Sequence, residues 1–447
     1  MRSASNGPPG TMRMRKNDTV TMTNNVGTAV SSRRSISDAN CGSLGLFGCL
    51  LRVLNLYYGH DYYKLHMNTP RLAILELDGT PYERGVAHGE ALRTSIHEIL
   101  GAMRDELSNT HDLPADDIIR DFLENTDFLP AIEQWTPGLF DEVRGIAAGS
   151  GANFDDLLTL NLQDEIWCYG FKTKAREWKG PYNKCTCAAA IGRHDSPTVS
   201  GQNMDVPYWH DTHQVLMRIR SHDSDVEALV FSSAGLLSLN GLNNKGVGVC
   251  VNALLELDHS HTGVPVAFVV RRALEMPDQE QAVSIIHNVP HASGQNYIIS
   301  GFGQLASLEC SANEVVPFAI EDQDTRTWHA NEALANNNKQ LFREITTDLP
   351  PDKFKPGFEN SKTRMRTVAA TLADPDTNID VATLKQVFAS REIPEFPISL
   401  HYNPDAGVMG FTTGCVIYEH RRENPPVLHL SPGPPDVTEF GTYDFSN

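Results

Sequence analysis

A chain of 447 residues, 40% hydrophobic and 21% charged, is long enough to bury a sizeable core in one large or two ordinary domains. Its formal charge of −19 argues against a nucleic-acid partner or an anionic membrane surface, because the dominant phosphate term would be repulsive. Eight cysteines, at 41, 49, 168, 185, 187, 250, 310 and 415, are too sparse for a disulfide module and imply reduced thiols in an intracellular, cytoplasmic setting.

Residues 1–40 are rich in Ser, Thr, Asn and Gly and carry six basic residues against Asp18 and Asp38, a composition that cannot pack a core. Arg33-Arg34 ahead of Leu44–Leu51 has the outline of an export or transit signal, but the apolar run is short, glycine-broken and ends at Arg52. Residues 1–68 are therefore read as an extension with targeting left open, ahead of a helical N-terminal segment over 69–184 and a strand-rich segment over 185–447 folded together with it. No run of 18 or more uncharged apolar residues exists, so no spanning helix is predicted.

Leu72 to Leu77 reads as a strand ended by Asp78-Gly79. Thr80-Pro81-Tyr82-Glu83 supplies a capping box with proline at the first helical position, and Leu92, Ile96, Ile99, Leu100, Met103 and Leu107 continue that helix. Further helices are predicted over 114–125, 132–148 and 154–169. Residues 172–182 are charged and contain Gly180-Pro181, the accessible irregular backbone that processing requires. Past Cys185 come short apolar strands at 215–219, 228–231 and 247–254, with a turn at Gly241–Gly246. Helices at 265–274 and 281–287, strands at 297–300 and 307–310, helices at 361–372 and 381–388, and strands at 415–418 and 427–430 complete the chain. Strands, then helices, then strands, without βαβ alternation, predict layered α+β with mostly antiparallel sheets.

Lys184-Cys185-Thr186-Cys187 heads the first strand of this second half. A cysteine there suits a chain that cuts itself, because the freed residue carries both a thiol nucleophile and an α-amine of ordinary pKa about 7.7–8.0. The bland alternative is a buried packing cysteine. Asp205, on a second strand reached through the turn His194–Pro197, would lie beside the new amine; otherwise it caps the turn at Val206-Pro207. Asn331 offers an amide donor for an oxyanion, or else serves a turn in the Asn-rich run to Asn338. Cys187 shares the face of Cys185 and is a rival nucleophile. His210-x-x-His213 and His259-x-His261 look like solvated loop histidines and lack the further ligands of a zinc site. His88 is expected to satisfy a buried hydrogen bond between the two segments.

The motifs Gly79-Thr80-Pro81-Tyr82-Glu83 with Gly85, His88 and Gly89, Arg144-Gly145-Ile146-Ala147, Cys185-Thr186, Gly201-Gln202-Asn203-Met204-Asp205, Asn252-Ala253-Leu254, Thr262-Gly263-Val264-Pro265 and His329-Ala330-Asn331, in that order, resemble the acyl-coenzyme A:6-aminopenicillanic acid acyltransferase (isopenicillin N acyltransferase) family. The resemblance covers about residues 71–432. It implies a four-layer αββα N-terminal-nucleophile hydrolase sandwich and a proenzyme that cleaves between Lys184 and Cys185. It also implies amide hydrolysis or acyl transfer on a small-molecule amide or acyl thioester, with no cofactor and no metal. Carried over, Cys185 is the nucleophile, Asp205 orients the amine, Asn331 stabilises the oxyanion, and Thr186 and Ser311 belong to the substrate pocket; the cleaved N-terminal chain remains a partner.

Two positions depart from the family pattern. Lys184 stands where glycine often precedes the scissile bond, and Met409 stands where penicillin-forming members carry an arginine. A simple amide hydrolase therefore fits better than penicillin synthesis, unless Arg271, Arg272, Arg364 or Arg366 reaches the pocket; Arg271 and Arg272 are expected to face solvent. The rival readings are an uncleaved binding protein on the same scaffold and a zinc hydrolase. Cleavage predicts a C-terminal chain of 263 residues, the remainder of 447 after the first 184, beginning Cys-Thr-Cys-Ala. N-terminal sequencing checks this: a start at Cys187 would move the nucleophile, and an intact 49.4 kDa species in active protein would rule out processing.

Overall fold

The computed structural model describes residues 72–174, 185–221, 223–320, 325–350, 352–406 and 408–446. The N-terminal extension and the residues from 175 to Lys184, including most of the expected processing loop, lie outside the described residues.

The first described segment is one strand followed by helices. Strand β1 (Ala73–Gly79) ends where Gly79 adopts φ 107°, a left-handed conformation that glycine enters without steric cost. Thr80 then caps helix α1 (Pro81–Ala91) with the complete capping box, its backbone N–H donating to Glu83 Oε2 at 2.9 Å. The apolar run read as one helix breaks at Leu92, and α2 (Arg93–His111) starts anew. At this junction the Arg93 guanidinium donates to the Gly149 and Ser150 carbonyls at 2.6 and 2.9 Å, satisfying a helix end that would otherwise be orphaned. Helix α3 (Ala115–Glu124) follows as predicted. The patterns over 132–148 and 154–169 each split as well, into α4 (Leu129–Trp135) with α5 (Leu139–Ser150), and α6 (Phe154–Asn161) with α7 (Gln163–Lys174). Pro137 and Gly138, the latter at φ 88°, account for the first split.

From Cys185 onward two sheets are built. The six-stranded sheet runs β11 (Arg326–His329), β2 (Thr186–Ala190), β3 (Thr198–Pro207), β12 (Gly410–His420), β13 (Val427–Ser431), β14 (Gly441–Tyr443). The eight-stranded sheet runs β1, β4 (Gln214–Ser221), β5 (Glu227–Ser233), β6 (Asn240–Asn243), β7 (Gly248–Ala253), β8 (Gln295–Gly301), β9 (Gln304–Cys310), β10 (Val315–Pro317). All neighbours pair antiparallel except β1 with β4, which is parallel and stitches the N-terminal segment onto the edge of the larger sheet.

Core packing defines four layers. Helices α2 to α6, together with α8 (Val266–Ala273) and α9 (Gln279–Asn288), bury apolar faces against one side of the larger sheet, where Val215, Met217, Val230, Val249 and Ile299 point. Alternate residues Leu216, Leu229, Phe231, Cys250 and Ile298 meet Cys187, Ala189, Val416 and Tyr418 of the smaller sheet. The far side of the smaller sheet, through Ala188, Ala190, Cys415 and Ile417, packs on α11 (Lys355–Leu372) and α12 (Val381–Phe388). This α+β, αββα order is the sandwich that the resemblance implied. The remaining helix, α10 (Gln340–Thr346), buries none of its residues.

Helices α1 and α5 approach so closely that glycines are required at the contact. A Cβ on Gly85 would stand 2.1 Å from the Glu142 carbonyl oxygen, one on Gly145 2.2 Å from that of Tyr82, and one on Gly149 2.2 Å from that of Val86. The same helices are clamped by Glu142, whose carboxylate takes Arg84 at 2.9 Å and, from α8, Arg271 at 3.3 Å. Burial alone would raise the Glu142 carboxyl, but Arg271 and Arg84 hold it below its ordinary value. Arg271 is thus fully buried, contrary to the solvent-facing expectation: its helix lies under other elements on this face. Gly85→Ala or Gly145→Ala is expected to cost about 2–4 kcal/mol by overpacking against backbone. Urea unfolding of the variants checks this, and an unchanged midpoint would show that the helices can part.

Candidate active site

Strands β2 and β3 form an antiparallel pair with Thr186 opposite Asn203. Continued one step, the register sets Cys185 opposite Met204, and the Cys185 thiol lies 3.5 Å from the Met204 sulfur. The backbone N–H of Asp205 donates to Cys185 Sγ at 3.4 Å. Asp205 comes one residue past that pairing, on the opposite face of the strand, and its Oδ1 accepts the Thr412 hydroxyl at 2.6 Å. Its carboxylate is therefore part of β3 rather than a cap on the turn at Val206-Pro207.

Arg364, on α11, joins these groups. Its Nη1 donates to the Cys185 carbonyl at 2.7 Å and to the Thr186 hydroxyl at 2.8 Å, its Nη2 to Asn331 Oδ1 at 2.9 Å, and its Nε to Asn360 Oδ1 at 2.8 Å. Asn331 Nδ2 donates one proton to the Ala253 carbonyl at 3.0 Å, and the amide group carries a second. Cys185, Thr186, Asp205 and Asn331 are thus brought together. Ser311 is not: its hydroxyl donates to the Glu314 carbonyl at 3.0 Å and accepts Asn338 Nδ2 at 2.9 Å, holding a turn, and no described contact links it to Cys185.

Charge is finely balanced here. Burial, reinforced by the Asp205 carboxylate, pushes the Cys185 thiol up to about 12. Burial likewise lowers Arg364 to about 10, against the opposing pull of Asp205. In the continuous chain the Cys185 nitrogen is an amide with no basicity and cannot serve as a base for the thiol. Cys187 lies deeper, wholly enclosed between the sheets, and burial together with Cys250 raises its thiol well above the ordinary value. The shared face predicted from the sequence is observed, but Cys187 is part of the packing between sheets.

Two groups at the site carried little signal in the sequence. Arg364 stood only among four arginines that could reach the pocket, yet it occupies the buried stripe with Val368 and Leu372 at spacings of four, where an arginine is informative. The adjacent carboxylates Asp164 and Glu165 open α7, a position ordinarily read as helix-end chemistry. Burial raises Asp164 to about 6, and burial with the charge of Asp164 raises Glu165 to about 7. The Asp164 charge also contributes to the elevation of the Cys185 thiol.

His88 Nε2 accepts the Gly235 N–H at 3.0 Å, joining the segments before and after Cys185 as expected. His210 departs from expectation: it is buried beneath Trp209 and bonded to Ser233 at 2.9 Å rather than solvated, because the 3₁₀ turn at 208–210 folds under α2. His259 and His261 are partly buried. Among the described residues no group of three or more His, Cys, Asp or Glu gathers as metal ligands, and no helix is long and apolar enough to cross a membrane.

A cysteine at a strand end, ringed by a carboxylate, a guanidinium and an amide, is an arrangement able to support acyl-group chemistry. The profile of the family described as acyl-coenzyme A:6-aminopenicillanic acid acyl-transferase matches residues 193–397. The acyl-coenzyme A:6-aminopenicillanic-acid-acyltransferase 40 kDa form of Emericella nidulans is 24% identical over 269 residues, 58% of this chain and 69% of that protein. Proteins dcd1B and dcd1A of Dictyostelium discoideum are 22% and 25% identical over 63% and 58% of this chain, which spans less than two thirds of each (58% and 61%). The structure of penicillin V acylase from Agrobacterium tumefaciens aligns with a TM-score of 0.35 and 14% identity over 56% of this chain and 83% of its own. The resemblance drawn from the ordered motifs is borne out.

Glu165 yields a pH prediction. Its carboxyl is raised in the folded state, so folding retains a proton that the unfolded chain releases. The associated stability is complete below about pH 4.5 and is lost as pH rises through about 7. Glu165→Gln is therefore expected to gain on the wild type by up to about 3 kcal/mol between pH 5 and pH 8. Urea titrations at the two pH values measure the gap; a gap independent of pH would mean that Glu165 is ordinarily ionised.

Proposed function

We propose that the chain is a self-processing amidohydrolase or acyltransferase in which Cys185 is both the cleavage point and the nucleophile. The observation that carries this reading is the position of Cys185: first before β2, its sulfur receiving the Asp205 N–H and its carbonyl gripped by Arg364, which also holds Asn331. The similarity to acyltransferases supports acyl transfer or amide hydrolysis as the chemistry.

In processing, the Cys185 sulfur attacks the Lys184 carbonyl carbon. The carbon–nitrogen bond breaks, the nitrogen takes a proton to become the α-amine, and a thioester remains. Water then attacks that thioester, releasing the Lys184 carboxylate and the thiol. Turnover repeats this chemistry on an external amide or thioester. The α-amine, of ordinary pKa about 7.7–8.0, accepts the thiol proton and later delivers one to the leaving group. Asp205, fixed by Thr412, orients that amine. Asn331, aimed by Arg364 and Ala253, donates its second N–H to the tetrahedral oxyanion. Thr186 positions Arg364 through its hydroxyl. The thioether of Met409 offers no bidentate grip on a substrate carboxylate, which favours simple amides over a penam acceptor.

Substitution separates the roles. Cys185→Ala is expected to abolish both cleavage and turnover. Asn331→Ala is expected to lower turnover of cleaved protein by about 10²–10³, the scale of one lost oxyanion donor, with folding retained. Cys187→Ala serves as the packing control for both assays. Loss of processing in Cys187→Ala with Cys185→Ala still cleaving, or wild-type turnover by Asn331→Ala, would reject the assignment.

A further inference from the structure

Strand β11 ends at His329, paired with Cys187 of β2, and the register continued past that pair sets Asn331 opposite Cys185. Asn331 therefore lies beyond the last ladder bond, where sheet pairing no longer fixes its backbone. A buried carboxylate takes over. Glu309, on β9 of the larger sheet, and His329, on the edge strand of the smaller one, are both wholly enclosed. His329 Nε2 donates to Glu309 Oε1 at 2.8 Å and Nδ1 donates to the Ala330 carbonyl at 2.8 Å, so the ring is a double donor whose rotation would break both bonds. Phe318 packs against it in a T-shaped contact, ring centroids 4.8 Å apart.

On the far side of Asn331 the same carboxylate holds the chain again. The backbone N–H groups of Leu334, Ala335 and Asn336 donate to Glu309 at 2.8, 2.9 and 2.7 Å, and the Ala333 N–H donates to Glu256 at 2.6 Å. Burial alone would raise the Glu309 carboxyl, but His329 and these backbone donors hold it below its ordinary value. Both flanks of Asn331 are thus tied to one buried charge, and releasing either flank would leave that charge partly unanswered. An apolar pair could fill the same space between the sheet edges. What a carboxylate adds is direction, because each N–H that it accepts fixes the plane of a peptide.

We propose that Glu309, through His329 and the loop at 330–336, is a positioning residue for Asn331, setting its carboxamide where the tetrahedral oxyanion forms at Cys185. The proposal rests on the oxyanion role given to Asn331 above and adds the group that sustains it. Among the described contacts none joins Glu309 to Cys185, so its effect reaches turnover through Asn331. With the flanks fixed, the bonds from Arg364 and to Ala253 are enough to aim the side chain.

The test is a double-substitution cycle on processed protein with p-nitrophenyl acetate as substrate. Glu309→Gln, which keeps the shape of the side chain and gives up an acceptor oxygen, is expected to lower kcat at least about 10-fold with KM unchanged within about threefold, the mark of an interaction made in the transition state. His329→Gln, which keeps a donor for Glu309 and loses the one to Ala330, is expected to lower kcat severalfold, and it carries the same test should Glu309→Gln fail to accumulate. In an Asn331→Ala background each change is expected to alter kcat less than about twofold, since a group acting through Asn331 then has nothing to aim. Wild-type kcat in both variants, or equal losses with and without Asn331, would overturn the proposal and leave the oxyanion role standing on the loss in Asn331→Ala alone. Wild-type kcat in Asn331→Ala would remove the oxyanion role and the proposal with it. Crystal structures of the two variants, processed or intact, read the positioning without turnover. The Asn331 carboxamide is expected to leave its 2.9 Å contact with Arg364 Nη2; a carboxamide unmoved in both would overturn the proposal even if the variants were slow.

Discussion

The buried guanidinium of Arg364 is the constraint on which the site's geometry depends. A charge taken out of water is tolerable only when its donors are met, and here they are met by Asn360, Thr186, Asn331 and the carbonyl of Cys185. Satisfying that cation fixes the strand end that carries Cys185, the Thr186 side chain beside it and the Asn331 amide. Removing any one partner would leave a buried charge partly unanswered, so the arrangement is held by a cost and not only by attraction. Asp205 stands close enough to counter the loss of hydration that lowers Arg364.

The same architecture would hold the chain as one body if it were cut before Cys185, as proposed. The segments before and after Cys185 share a single apolar core. They are also joined by the parallel β1–β4 pairing, the Glu142–Arg271 ion pair and the His88–Gly235 hydrogen bond. Asn161 adds two more links, its Nδ2 donating to the Gly235 carbonyl at 2.9 Å and its Oδ1 accepting the Leu237 N–H at 2.9 Å. A broken peptide bond at 184–185 removes none of these. The close α1–α5 contact, built on glycines, lies within the first segment and keeps its helices in register against the sheet.

Much of this was legible in the sequence because local chemistry and tertiary structure agree. The Thr80–Glu83 capping box starts α1 where it was expected, and α12 occupies Val381–Phe388 as its periodicity predicts. The spacing from Cys185 to Asp205, with a turn between, translates directly into the β2–β3 pair. Helix breaks at Leu92 and Leu162 were not legible, since the apolar period continues through both and only packing decides where the axis turns. Short strands such as β10, β11 and β14 exist through their neighbours rather than their composition. Arginines were the least readable residues: Arg271 and Arg364 carry the surface-seeking chemistry that sequence reading assigns outward, yet both are buried because carboxylates or amides await them. Ser311 closes a turn on the wall of a cavity that Trp135, His291 and Asn313 also line.

The most direct measurement of the central claim is to trap the acyl-enzyme. Processed protein mixed with p-nitrophenyl acetate, quenched in acid within a turnover and digested, should carry the acetyl group on the peptide that begins at Cys185, attached at that residue's sulfur. An acetyl group on Cys187 or Cys250, or continued release of nitrophenol by the cleaved protein with Cys185 unmodified at every quench time, would contradict the account.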